Sequence, residues 1–440
     1  MQDQKNAPVI AQQVAILSES AAELARRGQK EDAARIYEQI FEIAPYHLAA
    51  LNFLAMQAVE RGDYDLGLQL LDRSLQVNPS NFLTHLNMGV VYKRRGEHER
   101  ALQALDKALQ LNPSFPQILL QKGAVLEQLG RNQEALRVYL KAFKEAPALR
   151  YADHSLPPLP AHILRGAGHA DEFIVRHTME LMEAALAPVH ATHGAEAMKR
   201  VDEFLELHTG KRTPQYQHAA QRPGFLYFPG LEAQPFFERS GFDWCAKLEA
   251  ATAGIRAELQ ALLQEPDALK PYVQLAVPDA AEWTALNGSL QWGSLHLYKG
   301  GERIEENCRR CPVTLEAIER LPLARTPGQS PEVFFSILKR GARIPPHHGL
   351  TNYKVAVHLP LMIPSDCAIR VGNETRSWNE GQCLIFDDSF KHEAWNNSSE
   401  PRAVLILDIW NPQLTAAERS ALPAILGVLG ELARMSGDAG

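Results

Sequence analysis

The chain is 440 residues long, 45% apolar and 22% charged, the balance of an ordinary soluble globular protein with room for two or three domains. Its net charge of −7, with no basic stripe interleaved with aromatics, argues against nucleic acid as the main partner. The opening MQDQKNAPVIAQQ lacks a charged start followed by an apolar core, and the most apolar run, Ala421 to Gly430, falls short of the about 20 residues that a membrane span needs, so neither a secretory signal nor a membrane span is expected.

The front third is periodic. Gly28, Gly62, Gly96 and Gly130 recur every 34 residues, as do Pro45, Pro79, Pro113 and Pro147 and the small residues Ala33, Gly67, Ala101 and Ala135. That period, with a late proline and a small residue in the second helix, is the tetratricopeptide repeat signature. The unit from Phe82 to Phe115 fits it best, through Gly89, Tyr92, Ala101, Ala108 and Pro113. Four repeats are expected from about Val14 to Leu149, within a repeat domain over 1–150. A single helix pair cannot bury its own apolar face. Stacked pairs form a solenoid whose concave face suits a protein or peptide.

A connector follows over 151–221, opened by the helix-breaking SLPPLP at Ser155 to Pro160. Helical patterns then run over Glu172 to Leu186 and Ala195 to Leu207. Eight of the sixteen histidines fall in this connector, at spacings that match no compact metal site. They read as surface or helix-packing residues.

From residue 222 the period changes to two. In Tyr353 to Leu361 the odd positions Tyr353, Val355, Val357 and Leu359 form one face, and Lys354, Ala356 and His358 the other. In Arg402 to Trp410 the same alternation sets Arg402 in line with Val404, Ile406 and Asp408, so an arginine opens a strand that otherwise reads as core. A buried arginine needs an anionic partner. A dicarboxylate inside a barrel would provide one. Asp387 and Asp388 precede a strand in an Asp-Asp-Ser run and read as turn chemistry. Asp408 reads as orienting Arg402 or capping its strand.

An ordered series of blocks resembles the aspartyl/asparaginyl β-hydroxylase family of 2-oxoglutarate-dependent oxygenases. These are RPGFLYFPGL from Arg222, FFSIL from Phe334, PHHGLTN from Pro346, FDDSFKHEAWN from Phe386 and LDIWNP from Leu407. The resemblance implies a multidomain α + β chain: an all-α repeat solenoid, then a double-stranded β-helix (jelly-roll or cupin-like) oxygenase domain over 222–415, and a helical tail over 416–440. It also implies Fe(II) held by two histidines without the usual carboxylate. The first would be His347, with His348 as its competitor and Gly349 where the acid would otherwise stand; the second would be His392. For the cosubstrate 2-oxoglutarate it implies Arg402 against the distal carboxylate, Ser336 as a hydrogen-bond donor, His358 alongside, and Tyr298 near the place of a family tryptophan. Relatives can carry a basic residue where this chain has Ala356, and Lys354 on the same face is expected to compensate.

The chemistry so implied takes O2 and 2-oxoglutarate to succinate and CO2 while hydroxylating an unactivated carbon, the redox work being that of metal and cosubstrate. The expected substrate is an aspartyl or asparaginyl residue of a protein or peptide presented by the repeats. The alternatives are a repeat scaffold with an idle barrel, or a hydroxylase of a free amino acid or lipid-linked acyl chain. Five scattered cysteines make no disulfide framework and fit a reducing cytoplasm. Cys308 and Cys311 share a metal-like spacing but have no second pair, which argues against zinc.

Overall fold

The computed structural model describes residues 2–150, 160–275 and 281–437. Its contacts fall into two units, Met1–Met179 with Leu432–Gly440, and Glu180–Glu431. The SLPPLP stretch lies, except for Pro160, outside the described residues.

The first unit is helical. Its repeats are four antiparallel pairs: α1 (Gln2–Arg26) with α2 (Lys30–Ile43), α3 (Leu48–Glu60) with α4 (Tyr64–Val77), α5 (Phe82–Arg94) with α6 (His98–Leu111), and α7 (Pro116–Gln128) with α8 (Asn132–Glu145). Each recurring glycine sits in the turn inside a pair with a positive φ, from 70° to 87°. Only glycine adopts that conformation without steric cost. Each recurring proline follows the second helix of its pair, where helix can no longer continue. Close approach explains the other small positions: a Cβ on Gly89 would lie 2.6 Å from Leu105. Asn52 ties neighbouring helices together, donating to Ser74 and Thr84 and accepting from Asn87.

After the repeats come α9 (Ala161–His193), longer at both ends than its sequence pattern, and α10 (Ala195–His208). The second unit is then built around two antiparallel sheets. The large one contains β1 (Phe236–Phe237), β2 (Lys270–Pro271), β3 (Trp292–Lys299), β4 (Glu302–Arg303), β5 (Val333–Leu338), β7 (Lys354–Met362), β10 (Leu384–Phe386) and β12 (Arg402–Trp410), in the order β1-β10-β7-β12-β5-β3-β2 with β4 paired to β3. The small one has the order β6-β11-β8-β9, from β6 (Arg343–His347), β8 (Cys367–Val371), β9 (Glu374–Arg376) and β11 (His392–Asn396).

Strand alternation divides the core in two. Val355, Val357, Leu359 and Leu361 of β7 and Ala403, Leu405, Leu407 and Ile409 of β12 pack with α11 (Cys245–Ala250), α12 (Thr252–Leu262), α13 (Glu305–Arg310) and α14 (Pro312–Glu319). On the opposite face Ala356, Phe386 and Val404 meet Ile344, Ile369, Val371 and Ala394 of the small sheet. The helix-side core carries no charged residue of β7 or β12, whereas the inter-sheet face also carries Arg402, Asp408, Lys354 and His358. A last helix, α15, runs over Ala416–Ser436. Among the described residues, no helix is long and apolar enough to cross a membrane.

Candidate functional site

A cavity of about 1560 Å³ opens between the two sheets, lined in part by His347, His392, His358, Arg402, Lys354, Asp388 and Asp408. The two histidines implied as metal ligands come from neighbouring strands of the small sheet, with His392 of β11 directly opposite His347 of β6. Their rings lie 4.1 Å apart between centroids. His347 Nδ1 lies 2.8 Å from the Pro345 carbonyl oxygen and His392 Nδ1 lies 2.9 Å from that of Phe390. A carbonyl only accepts, so each Nδ1 carries the proton and each Nε2 keeps its lone pair. Burial depresses both imidazoles to about 4. Both rings are therefore neutral near pH 7, with the second nitrogen of each fixed as metal-binding histidines require. His348 also lines the cavity, but its ring bonds the Ala220 backbone beside Lys391 and Arg222.

The residues beyond this pair reinforce it. Gly349 leaves no room for an acid of its own, because a Cβ there would overlap the Asp388 carboxylate. Asp388 is half-buried, its Oδ1 has no hydrogen-bond partner, and desolvation raises its carboxyl. Asp387 behaves as a turn residue, accepting from the backbone and hydroxyl of Ser389 and from Gln221. Among the described residues no cluster of three or more His, Cys, Asp or Glu side chains is arranged to hold a metal.

Arg402 marks one end of the cavity. It is 1% exposed, and its Nε and Nη1 have no partner. The Trp378 ring lies against it, with its centroid 4.7 Å from Cζ. Burial pulls the guanidinium down to about 10, which still leaves a full cation at neutral pH. A buried cation without a counter-charge costs several kcal/mol, so the site suits an anion. Ser336, fully buried on β5 opposite Val404, accepts from the Trp292 indole at 3.0 Å, leaving its own proton to donate. His358 Nδ1 accepts from the Trp378 indole at 3.2 Å. That fixes the His358 proton on Nε2 and makes it a donor too. An arginine, a hydroxyl and an imidazole N–H form the donor set a dicarboxylate needs.

Lys354 lines the cavity but at the other end, four residues along β7 from His358. Its Nζ is 2.8 Å from Asp408 Oδ1 and 4.0 Å from Asp388 Oδ2. Burial alone would depress this ammonium, yet the two carboxylates hold it above the ordinary lysine value. Asp408 thus pairs with Lys354, and with the Glu332 N–H at 3.0 Å, rather than orienting Arg402.

Tyr298 is not brought to the cavity. The register slips between His296 and Tyr298, and this bulge turns Tyr298 into the helix-side core, where its hydroxyl bonds Glu319. The tryptophan beside Ser336 is Trp292, earlier on the same strand. Trp378 also belongs to the site, and its position under Arg402 depends on a loop between β9 and β10 that no periodicity marks. Cys308 and Cys311 are buried free thiols, the latter pushed by burial up to about 12.

Residues 249–412 match the family model for aspartyl/asparaginyl beta-hydroxylase, and residues 82–115 and 116–149 match models for the tetratricopeptide repeat. The chain is 34% identical over 241 residues to the Homo sapiens aspartyl/asparaginyl beta-hydroxylase, covering 53% of this chain and 30% of that protein. It is 35% identical over 207 residues to the Homo sapiens aspartate beta-hydroxylase domain-containing protein 1, covering 46% of this chain and 51% of the relative. A solved structure, "Crystal structure of MamA protein", aligns with a TM-score of 0.28 at 21% identity, covering 33% of this chain and 79% of that one. The chain thus spans about half or less of these curated relatives' own length. It carries a domain of the aspartyl/asparaginyl β-hydroxylase family together with tetratricopeptide repeats.

Proposed function

We propose that the sheet unit is an Fe(II)- and 2-oxoglutarate-dependent dioxygenase that hydroxylates an aspartyl or asparaginyl residue of a protein or peptide, which the repeat array docks. The observation that carries this reading is the pair of neutral imidazoles facing one cavity with free Nε2 atoms, while an uncompensated arginine lines the same cavity. Two antiparallel sheets enclosing that cavity accord with a double-stranded β-helix.

In this reading His347 and His392 hold the metal and Arg402, Ser336 and His358 hold the cosubstrate. When bound, iron with 2-oxoglutarate and O2 supplies the oxidant that hydroxylates an unactivated carbon, 2-oxoglutarate leaving as succinate and CO2. The chain's own contribution is placement. Arg402 supplies charge for an incoming carboxylate, Ser336 and His358 supply N–H and O–H donors, and the rings of Trp292, Trp378 and Phe386 keep that end of the cavity dry. Charge-assisted bonds in such a setting are shorter and stronger than neutral ones.

The paired, stacked repeat helices support docking of an extended protein segment, and five buried free thiols accord with a reducing cytoplasm. The test is succinate release from 2-oxoglutarate by purified, iron-loaded protein, alongside a mass-spectrometric search of lysate for products heavier by one oxygen, with His392→Ala as control. Turnover abolished by that substitution is expected. Neither turnover nor metal binding in the parent chain would leave a repeat scaffold with an idle barrel.

A further inference from the structure

The cavity has two electrostatically opposed ends. Arg402 and Asp408 lie on the same face of β12, six residues and hence about 20 Å apart. No carboxylate pairs with Arg402 among the described residues. Around Asp408 the balance reverses. Lys354 is the one cation of its strand face, and Ala356, the next residue on that face, adds none. Two acids flank it, Asp408 at 2.8 Å and Asp388 at 4.0 Å, while Glu332 gives its N–H to Asp408 and turns its carboxylate to the Gly300 N–H and His296.

We infer that the Lys354–Asp408 ion pair is a specificity determinant that favours an asparaginyl amide over an aspartyl carboxylate at the reacting position. The inference rests on the oxygenase reading, in which the cosubstrate occupies the Arg402 end and the substrate enters by the acid-rich end. A substrate carboxylate there would be a third acid beside a lysine whose charge is already matched. Like-charge juxtaposition at a desolvated site is a strong means of rejecting a partner. An amide brings no charge, can accept from the lysine, and can donate to the unpartnered Oδ1 of Asp388. A site with a polar group to satisfy discriminates strongly against a ligand that leaves it unpaired.

The test uses the full chain with Fe(II) and 2-oxoglutarate, and two synthetic peptide pools identical except for a central Asn or Asp. Products heavier by one oxygen are counted by mass spectrometry while succinate is followed in the same tubes. The Asn pool should be modified at least about tenfold more than the Asp pool, the scale of a disfavoured charge contact. Asp408→Asn, which unties the lysine, should move the ratio toward Asp by roughly tenfold. Glu332→Gln, which removes the next acid lining the cavity beside Asp408, should move it the same way by less, and serves if Asp408→Asn does not fold. An Asn-to-Asp ratio at or below one, or succinate without modification of either pool, overturns the inference and leaves the oxygenase reading standing. Absence of both succinate and oxidised peptide overturns the oxygenase reading, and this inference with it.

Discussion

Gly349 and Asp388 share one volume: a single methyl on the glycine would overlap the carboxylate of the aspartate. The glycine is needed here for space, since its backbone is not in the left-handed region. Gly349→Ala should therefore cost about 1–3 kcal/mol, the usual penalty of overpacking a filled interior. Urea unfolding at 25 °C measures it, and an unchanged midpoint would mean that Asp388 yields freely.

Arg402→Met separates binding from stability. Losing hydrogen bonds to a charged ligand costs about 1.5–3 kcal/mol, which should raise the 2-oxoglutarate requirement roughly 10- to 150-fold. The metal-free, ligand-free protein should not lose stability, because an uncompensated buried cation has been replaced by an apolar chain of similar length. A loss of stability with no change in the 2-oxoglutarate requirement would remove Arg402 from the site.

Protonation and metal compete for the same lone pairs on His347 and His392. Because burial holds both rings at about 4, affinity for a probe such as Co(II) should hold from pH 8 down to about pH 5 and fail only on approach to pH 4. Calorimetric titration at several pH values checks this. Affinity falling from pH 6.5 downward would indicate ordinary, solvated imidazoles. His348→Ala should leave the affinity intact, since that ring is engaged by the Ala220 backbone.

In the repeats, Gly96→Ala forces an alanine into a φ of 77°. That conformation costs an L-residue about 1–2 kcal/mol. Thermal melts of the full chain should show the first transition lowered, and an unaltered melt would mean the turn relaxes without loss.

The repeat array was legible because its rule is strictly periodic: the turn glycines and terminal prolines are each forced by local backbone geometry. The strand faces of β7 and β12 were legible for the same reason, since a period of two separates Lys354, Ala356 and His358 from Val355, Val357 and Leu359. The facing of His347 and His392 followed from family likeness, as nothing local in either segment encodes a contact between them. Tyr298 was misplaced because a bulge shifts parity without a sequence mark. The partners of Lys354 and Arg402 were hidden because they depend on register between β7 and β12 and on where one loop sets Trp378.

That indole has a wider consequence. Its face lies against Arg402 while its N–H sets the tautomer of His358, so two side chains from separate strands take their bearings from one ring. Nudging the loop that carries it would detune the anion grip and the imidazole proton in a single stroke. Phenylalanine in its place would uncouple them, keeping the cushion under the guanidinium while letting the imidazole choose which nitrogen to protonate.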